Sequence, residues 1–231
     1  MTKSRTRLIR RLKLFARALL RLVTGRPPST EEVTRANTRQ AYEKLYSDPR
    51  LLQDYLAPVR LQFFREVALL CVSLHPARVM DLGCGTGHML QALSDTWQHR
   101  GIEPLPTLFG MDQARAAISQ ARNVVPHGHF TVGSIYQMSY LDASFDLVFS
   151  TETFEHLDQP NLALREATRI CRPGGHIILT VPDGERDDWE GHVNFWSMTT
   201  LHDFLGQTLH VDEIRRVDEG RVLMAFARKG D

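Results

Sequence analysis

The sequence predicts an α/β fold built on a doubly wound, mainly parallel sheet, with additional helices before the first strand. Three observations support this: strand-like apolar runs alternate with helix-forming segments over residues 77–231, residues 31–73 are helical in pattern, and 42% of the 231 residues are apolar. Such alternation is typical of a parallel sheet covered on both faces, and this apolar content supplies one sizeable core. We therefore expect one α/β domain at 77–231.

The first predicted strand, residues 79–82, runs into a glycine-rich turn. Gly83, Gly85 and Gly87 stand at alternate positions, with Cys84 between the first two. Glycine lets the backbone turn sharply and lets a ligand approach it closely, and the helix that follows directs free N–H groups at that ligand. The turn therefore predicts a nucleotide-like cofactor. Its spacing differs from the dinucleotide fingerprint, in which the glycines occupy the first, third and sixth positions.

A second acid is expected at the end of the next strand, where it accepts hydrogen bonds from a ribose diol. Asp112 ends the apolar run 108–112 and precedes a helix-forming segment at 113–122. Glu103 is the alternative, but two prolines follow within three residues and prevent an immediate regular helix. The pattern favours Asp112 and predicts an insertion loop over residues 96–106.

The rest of the chain supplies the remaining strands of the sheet. Further strands are predicted at 130–135, 145–150 and 177–181, a helix at 161–170, and a final hairpin at 209–215 and 221–227 around 218–220. Arg172-Pro173-Gly174-Gly175 is a helix stop before the fifth strand.

The acid at residue 81, the glycines and the order of elements after them resemble the class I S-adenosylmethionine-dependent methyltransferases of the type 11 kind, over residues 77–231. The resemblance implies a Rossmann-like, doubly wound, seven-stranded sheet with an antiparallel last strand. It implies S-adenosylmethionine as the cofactor. Ser134 departs from the pattern, because the family usually has an aspartate there to bind the adenine amino group, and serine adds no charge. The implied cofactor contacts are Asp81, Gly83, Cys84, Gly85, Gly87, Asp112, Gln113, Ser134, Ile135 and Thr151.

A cluster of acids and histidine follows the fourth strand. Glu152, Glu155 and His156 are three and four residues apart, so a helical turn would place them on one face. A similar pattern holds a divalent metal in quinone-biosynthesis O-methyltransferases and in small-RNA 3′-end 2′-O-methyltransferases, and His192 occupies the place of a further ligand. Many methyltransferases without a metal have a similar Glu-His-Leu. The sequence favours the metal-free reading, with His156, titrating near neutrality, as general base and His192 as the second candidate.

The N-terminal segment differs in charge from the rest of the chain. Residues 1–30 contain nine bases and no acid, which leaves 19 bases against 27 acids, a net charge of −8, for residues 31–231. Leucines and one phenylalanine recur at helical spacing, so residues 1–26 are predicted to form a basic amphipathic helix that binds an anionic membrane surface through residues 3–23. Packing on the protein or a partner, and a mitochondrial targeting role, are the alternatives.

Residues 27–76 are predicted to form a helical cap over the cofactor and the acceptor, with helices at 31–46 and 50–73. Tyr42, Tyr46 and Tyr55 either line the acceptor pocket or pack within the cap, and the second reading is favoured.

The three cysteines have neither disulfide nor metal-finger spacing, which indicates a reducing, cytoplasmic location. Arg17 and Arg21 interrupt the apolar run of the N-terminal segment, so neither a signal peptide nor a membrane-spanning helix is expected there. The expected function is O-methylation of a small-molecule or lipid-linked acceptor. The alternatives are an RNA 2′-O-methyltransferase, which the acidic body disfavours, and a non-catalytic cofactor-binding scaffold.

Overall fold

The computed structural model describes residues 37–56, 58–187, 189 and 191–230. The predicted basic helix at 1–26 and the start of the cap lie outside these residues.

One seven-stranded sheet forms the centre of the described chain, in the order β3-β2-β1-β4-β5-β7-β6. Strands β1 to β5 are parallel to one another, whereas β7 is antiparallel to both β5 and β6. This confirms the predicted fold class, including the antiparallel last strand. The strands are β1 (Arg78–Leu82), β2 (Thr107–Asp112), β3 (His129–Val132), β4 (Phe145–Thr151), β5 (Cys171–Pro182), β6 (His210–Val217) and β7 (Val222–Arg228).

Helices cover both faces of the sheet. They are α1 (Arg39–Ser47), α2 (Pro49–Tyr55), α3 (Pro58–Ser73), α4 (His88–His99), α5 (Arg115–Val124), α6 (Pro160–Ile170) and α7 (Met198–Leu205). Several boundaries differ from prediction. Strand β5 begins at Cys171, which pairs with Phe145 of β4, so the predicted stop at 172–175 lies within the strand, and β3 ends at Val132 instead of residue 135. The helix expected at 50–73 is split before Pro58, because proline favours the first position of a new helix. Helix α4 continues to His99, because Trp97 is buried against its neighbours, so the predicted insertion loop begins after residue 99.

Two apolar clusters hold these layers together. Met80, Leu82 and Val148 face the cluster that contains α6 and α7, whereas Val79 and Leu147 face the cluster that contains α3 and α4. Because successive strand residues point to opposite faces, β1 and β4 contribute to both clusters and read as nearly continuous apolar runs. The alternation also places Asp81 on the α3 side of the sheet.

Helix α1 is attached to the end of the sheet through α5. The Glu43 carboxylate accepts hydrogen bonds from the backbone N–H groups of Arg115 (2.7 Å) and Ala116 (2.9 Å), which are free donors in the first turn of α5. These bonds lower the pKa of Glu43. The contact holds α1 beside the carboxyl ends of the parallel strands. None of the described helices has the length and apolarity needed to cross a bilayer.

Candidate functional site

The glycine turn after β1 has the strained geometry that its sequence predicts. The φ angles of Gly83, Gly85 and Gly87 are +76°, +49° and +80°. Residues with a Cβ rarely adopt this backbone conformation. A Cβ on Gly83 would lie 2.3 Å from Oγ1 of Thr153, so the turn packs tightly against the segment after β4. Gly87 then caps α4.

The turn is bonded to the end of β2. The N–H groups of Gly83 and Cys84 donate to the Met111 carbonyl at 2.8 and 2.9 Å. The Cys84 thiol lies against Gly110, and burial raises its pKa. Cys84 is therefore a small buried residue, and only its backbone is left for the predicted cofactor contact.

Asp112 ends β2, whereas Glu103 lies in the loop before that strand. The Asp112 carboxylate accepts from the N–H of Gly85 (3.0 Å) and of Ala114 (2.9 Å), which fixes its orientation. Burial raises the pKa of Asp112, and these hydrogen bonds oppose the shift. Further donors, such as the two hydroxyls of a ribose, would stabilise the charged form.

Asp81 is fully buried, and neither carboxylate oxygen has a hydrogen-bond partner among the described residues. Burial, and then repulsion from Asp112, raises its pKa well above the ordinary value. A buried acid without a donor is costly, so this position calls for a ligand group that donates hydrogen bonds.

The other predicted cofactor residues surround the same end of the sheet. Thr151 is buried at the end of β4, and Gln113 is exposed just after β2. Ser134 is exposed after β3, where its Oγ accepts from the Tyr136 N–H at 3.2 Å, and Ile135 is partly buried. The structure thus brings these residues to one edge, because parallel strands share their carboxyl end.

The segment after β4 differs from the predicted helical turn. Glu152 has a positive φ of +53° and its N–H donates to the Thr180 carbonyl at 3.1 Å, and a short 3₁₀ turn follows at Phe154–His156. The backbone therefore changes direction between the two glutamates, so they do not share one helical face. Ligand atoms of Glu155, His156 and His192 lie within 4.8 Å of one another, and Glu152 is not part of this group.

Glu155 is the buried centre of the group. Its Oε1 lies 3.7 Å from Nε2 of His156 and 4.0 Å from Nε2 of His192. Neither carboxylate oxygen of Glu155 has a hydrogen-bond partner among the described residues, and burial, followed by repulsion from Glu152, raises its pKa well above the ordinary value. Burial also raises the pKa of Glu152. The site therefore favours an uncharged carboxyl group or a cation beside it.

Both imidazoles are oriented through Nδ1. His192 Nδ1 donates to Oδ2 of Asp187 at 2.5 Å, and His156 Nδ1 donates to the Gly191 carbonyl at 3.2 Å. These bonds turn both Nε2 atoms towards Glu155. Burial, and then His192, lowers the pKa of His156 to about 4, which contradicts the near-neutral titration expected from the sequence. His156 is thus neutral at pH 7 and a weak base, whereas the contact between His192 and Asp187 resembles the oriented histidine of general-base catalysis.

The group of Glu155, His156 and His192 has neighbours that the sequence reasoning missed. Asp187 orients His192, and Trp189 contacts the rings of both histidines. Their signal is the short run from Asp187 to His192, which combines an acid, an aromatic residue, glycine and histidine between the predicted fifth strand and the final hairpin. The Tyr42 ring lies 6.1 Å from that of His156, and both Tyr42 and Tyr46 pack within the cluster that α1 forms with α5. The side chain of Tyr55 is outside the described residues.

Comparison with known proteins identifies a methyltransferase domain at residues 80–179. The chain is 27% identical to a 2-methyl-6-phytyl-1,4-hydroquinone methyltransferase of Synechocystis sp. (71% of this chain, 51% of that protein). It is 30% identical to a malonyl-[acyl-carrier protein] O-methyltransferase of Serratia marcescens (63% and 60%). The chain thus spans roughly half the length of these curated relatives. In fold it is similar to the N-methyltransferase NodS of Bradyrhizobium japonicum, solved with S-adenosyl-L-homocysteine (TM-score 0.63, 20% identity, 84% of this chain and 100% of that chain).

Proposed function

We propose that this chain, which belongs to the class I S-adenosylmethionine-dependent methyltransferases, methylates the hydroxyl oxygen of a small-molecule or lipid-linked acceptor. The observation that supports the proposal best is the arrangement of two separate sets of side chains at one edge of the sheet. Asp81 and Asp112 flank the glycine turn after β1. His156 follows β4, which is the neighbour of β1 in the sheet. A methyl donor bound at the glycine turn would therefore lie next to the histidines that could accept a proton.

The buried acids fit S-adenosylmethionine. The cofactor carries a positively charged amino group, which would supply the donors that the Asp81 oxygens lack, and a ribose whose hydroxyls would donate to Asp112. Ser134 and Ile135 would border the adenine. When bound, the cofactor supplies an electrophilic methyl carbon on its sulfonium.

The protein's own task is then to align the acceptor and remove its proton. His192 is the stronger base candidate because Asp187 holds Nδ1, so that Nε2, which lies 4.0 Å from Oε1 of Glu155, is the nitrogen that would take the hydroxyl proton. His156 remains neutral beside it. A polyanionic acceptor is disfavoured because residues 31–231 carry a net charge of −8, which repels phosphates. This supports a small acceptor over RNA.

A divalent cation is the competing reading of the same group. One buried carboxylate and two imidazoles are suitable donors, and each imidazole has the outer hydrogen bond that metal-binding histidines usually make. The two readings give different results with a chelator. Turnover that survives chelation supports His192 as the base, and turnover lost on chelation with intact cofactor binding supports the cation.

Calorimetric titration of S-adenosyl-L-homocysteine tests the cofactor assignment. Asp112→Ala removes a charged acceptor, and the expected loss of about 1.5–3 kcal/mol corresponds to roughly 10- to 150-fold weaker binding. Glu103→Ala is the matched control and leaves affinity unchanged. Weaker binding in the Glu103 variant, with an unchanged Asp112 variant, would reverse the assignment. A metabolite extract supplied with methyl-labelled cofactor then tests for an acceptor, and cofactor binding without labelled product from any fraction would favour a non-catalytic scaffold.

A further inference from the structure

We propose that Trp189 binds the methyl acceptor and that the acceptor is a planar aromatic compound carrying the hydroxyl group that is methylated. This inference rests on the proposed function of the site and adds to it the chemical class of the acceptor.

Trp189 is held in place from several directions. The backbone N–H of Trp189 donates to Oδ1 of Asp187 at 3.1 Å, and its backbone carbonyl accepts from the backbone N–H of His192 at 3.2 Å. Its ring lies edge-to-face with the rings of His192 (4.6 Å between centroids) and His156 (5.5 Å). A Cβ on Gly191 would lie 2.8 Å from the indole, so glycine at this position gives the ring its room. The same carboxylate thus bonds both the imidazole of the candidate base and the backbone of Trp189.

The anchored indole is nevertheless open to solvent. The Trp189 residue is 58% exposed, whereas the other two tryptophans of the chain, Trp97 and Trp196, are 2% and 8% exposed within the two apolar clusters. An isolated exposed apolar residue is ordinary on a protein surface. An exposed indole fixed against two candidate catalytic imidazoles is a preformed contact surface, since its apolar area is already positioned and loses little conformational entropy on binding.

The neighbouring side chains indicate which acceptor fits. Tyr42 adds a second aromatic ring beside His156, so a flat ring would find edge-to-face or offset partners on two sides. The carboxyl groups of Glu152 and Glu155 lie beside the imidazoles, where burial raises the pKa of both, and Arg60 acts electrostatically on the same group. A charged acceptor would lose its hydration among these buried groups. A neutral aromatic hydroxyl compound adds no charge there and gains the ring contacts.

The transfer to such an acceptor balances without an additional reagent. The phenolic oxygen forms a bond to the methyl carbon as the carbon–sulfur bond breaks, and its proton passes to Nε2 of His192. The products are the aryl methyl ether and S-adenosyl-L-homocysteine.

Catechol and cyclohexane-1,2-diol are suitable paired probes, because both carry two adjacent hydroxyls, on a flat ring in the first and on a puckered ring in the second. Each is titrated by calorimetry into the full chain saturated with S-adenosyl-L-homocysteine. We expect catechol to bind at least about fivefold more tightly than the diol, the scale of one aromatic pair. Catechol should also quench the fluorescence of the exposed Trp189, and methyl-labelled cofactor should give labelled methyl ether.

Substitutions of Trp189 test whether the indole causes the preference for catechol. Trp189→Ala should weaken catechol binding about fivefold to tenfold and leave diol binding unchanged, whereas Trp189→Phe should retain most of the preference. Leu141→Ala removes another exposed apolar side chain, one that is 83% exposed in the loop before β4, and should change neither affinity.

Each outcome bears on one of the two proposals. Normal binding of S-adenosyl-L-homocysteine with equal affinity for the two probes, no binding of either, or an unaffected Trp189→Ala variant would overturn the aromatic acceptor and leave the methyltransferase proposal standing. Failure to bind S-adenosyl-L-homocysteine would overturn the proposed function itself, and this inference with it.

Discussion

Gly83→Ala places a methyl group into the tightest contact of the glycine turn. The residue has φ +76°, and its new Cβ would lie 2.3 Å from Oγ1, 2.6 Å from Cγ2 and 3.0 Å from Cβ of Thr153. Two separate costs therefore arise, the left-handed backbone conformation of a residue with a Cβ and the steric overlap with Thr153.

The two costs can be sized separately. The left-handed conformation costs an alanine about 1–2 kcal/mol, and overpacking of a filled site costs about 1–3 kcal/mol. Gly83→Ala should therefore lower the free energy of unfolding by roughly 2–5 kcal/mol, a large fraction of the ~5–15 kcal/mol that stabilises a domain. Gly101→Ala is the matched control, because Gly101 is also left-handed (φ +62°) but has no atom within 4 Å of its Cβ position. It should cost only the conformational part.

Denaturant unfolding of four proteins, the parent, Gly83→Ala, Thr153→Ala and the double variant, measures the overlap as a coupling free energy. Thr153→Ala removes the two nearest atoms, so the double variant should recover about 1–3 kcal/mol relative to Gly83→Ala. Additive effects of the two substitutions would refute the close contact between the turn and the segment after β4. A Gly83→Ala variant as stable as the parent would refute the left-handed turn.

Two further predictions concern pH and the N-terminal segment. The pKa of His156 is about 4 in the folded protein, against 6.5 ordinarily. As the pH falls, the unfolded chain therefore binds the proton first. The contribution to the free energy of unfolding is full above about pH 6.5 and declines towards pH 4. Between about pH 7 and pH 5 the parent should lose about 2 kcal/mol more than His156→Gln in denaturant unfolding, and parallel pH profiles of the two proteins would contradict the burial of a neutral imidazole. Removal of residues 1–26 should abolish co-sedimentation with anionic vesicles, and binding of the parent should weaken as salt is raised. Equal sedimentation of both chains would exclude membrane binding by that segment.

The elements with strong local signals were predictable from the sequence. The turn at Gly83 follows from residues that tolerate positive φ, and β2 ends at Asp112 because apolar residues give way to an acid and a helix. The final hairpin likewise follows from two strand patterns around a short glycine-containing turn, and its antiparallel partner β5 was implied by the family resemblance.

The local shape after β4 was not predictable in this way. Residue spacing indicated a helical turn from Glu152 to His156, but the Glu152 N–H bonds to Thr180 on the neighbouring strand β5. A contact between strands therefore overrides the local preference and sets the positive φ. The direction of the Cys84 thiol is also a tertiary property, because it depends on the absence of a Cβ at Gly110 in β2.

The proposed acceptor side, around His156 and His192, is the least predictable part of the site because a backbone carbonyl joins its segments. The Gly191 carbonyl accepts from His156 Nδ1 at 3.2 Å and from Asn37 Nδ2 at 2.9 Å, and the Asn37 amide oxygen in turn accepts from the Tyr42 hydroxyl at 3.2 Å. A carbonyl is present at every residue, so no pattern of side chains marks this one as the junction. What distinguishes Gly191 is the indole of Trp189, which occupies the space that a Cβ would need. The cap that precedes β1 and the loop that follows β5 therefore meet beside His156. The Gly191 carbonyl joins them, the Tyr42 ring adds a second contact from the cap, and the N–H of Val193 bonds the loop to the Glu155 carbonyl at 2.8 Å.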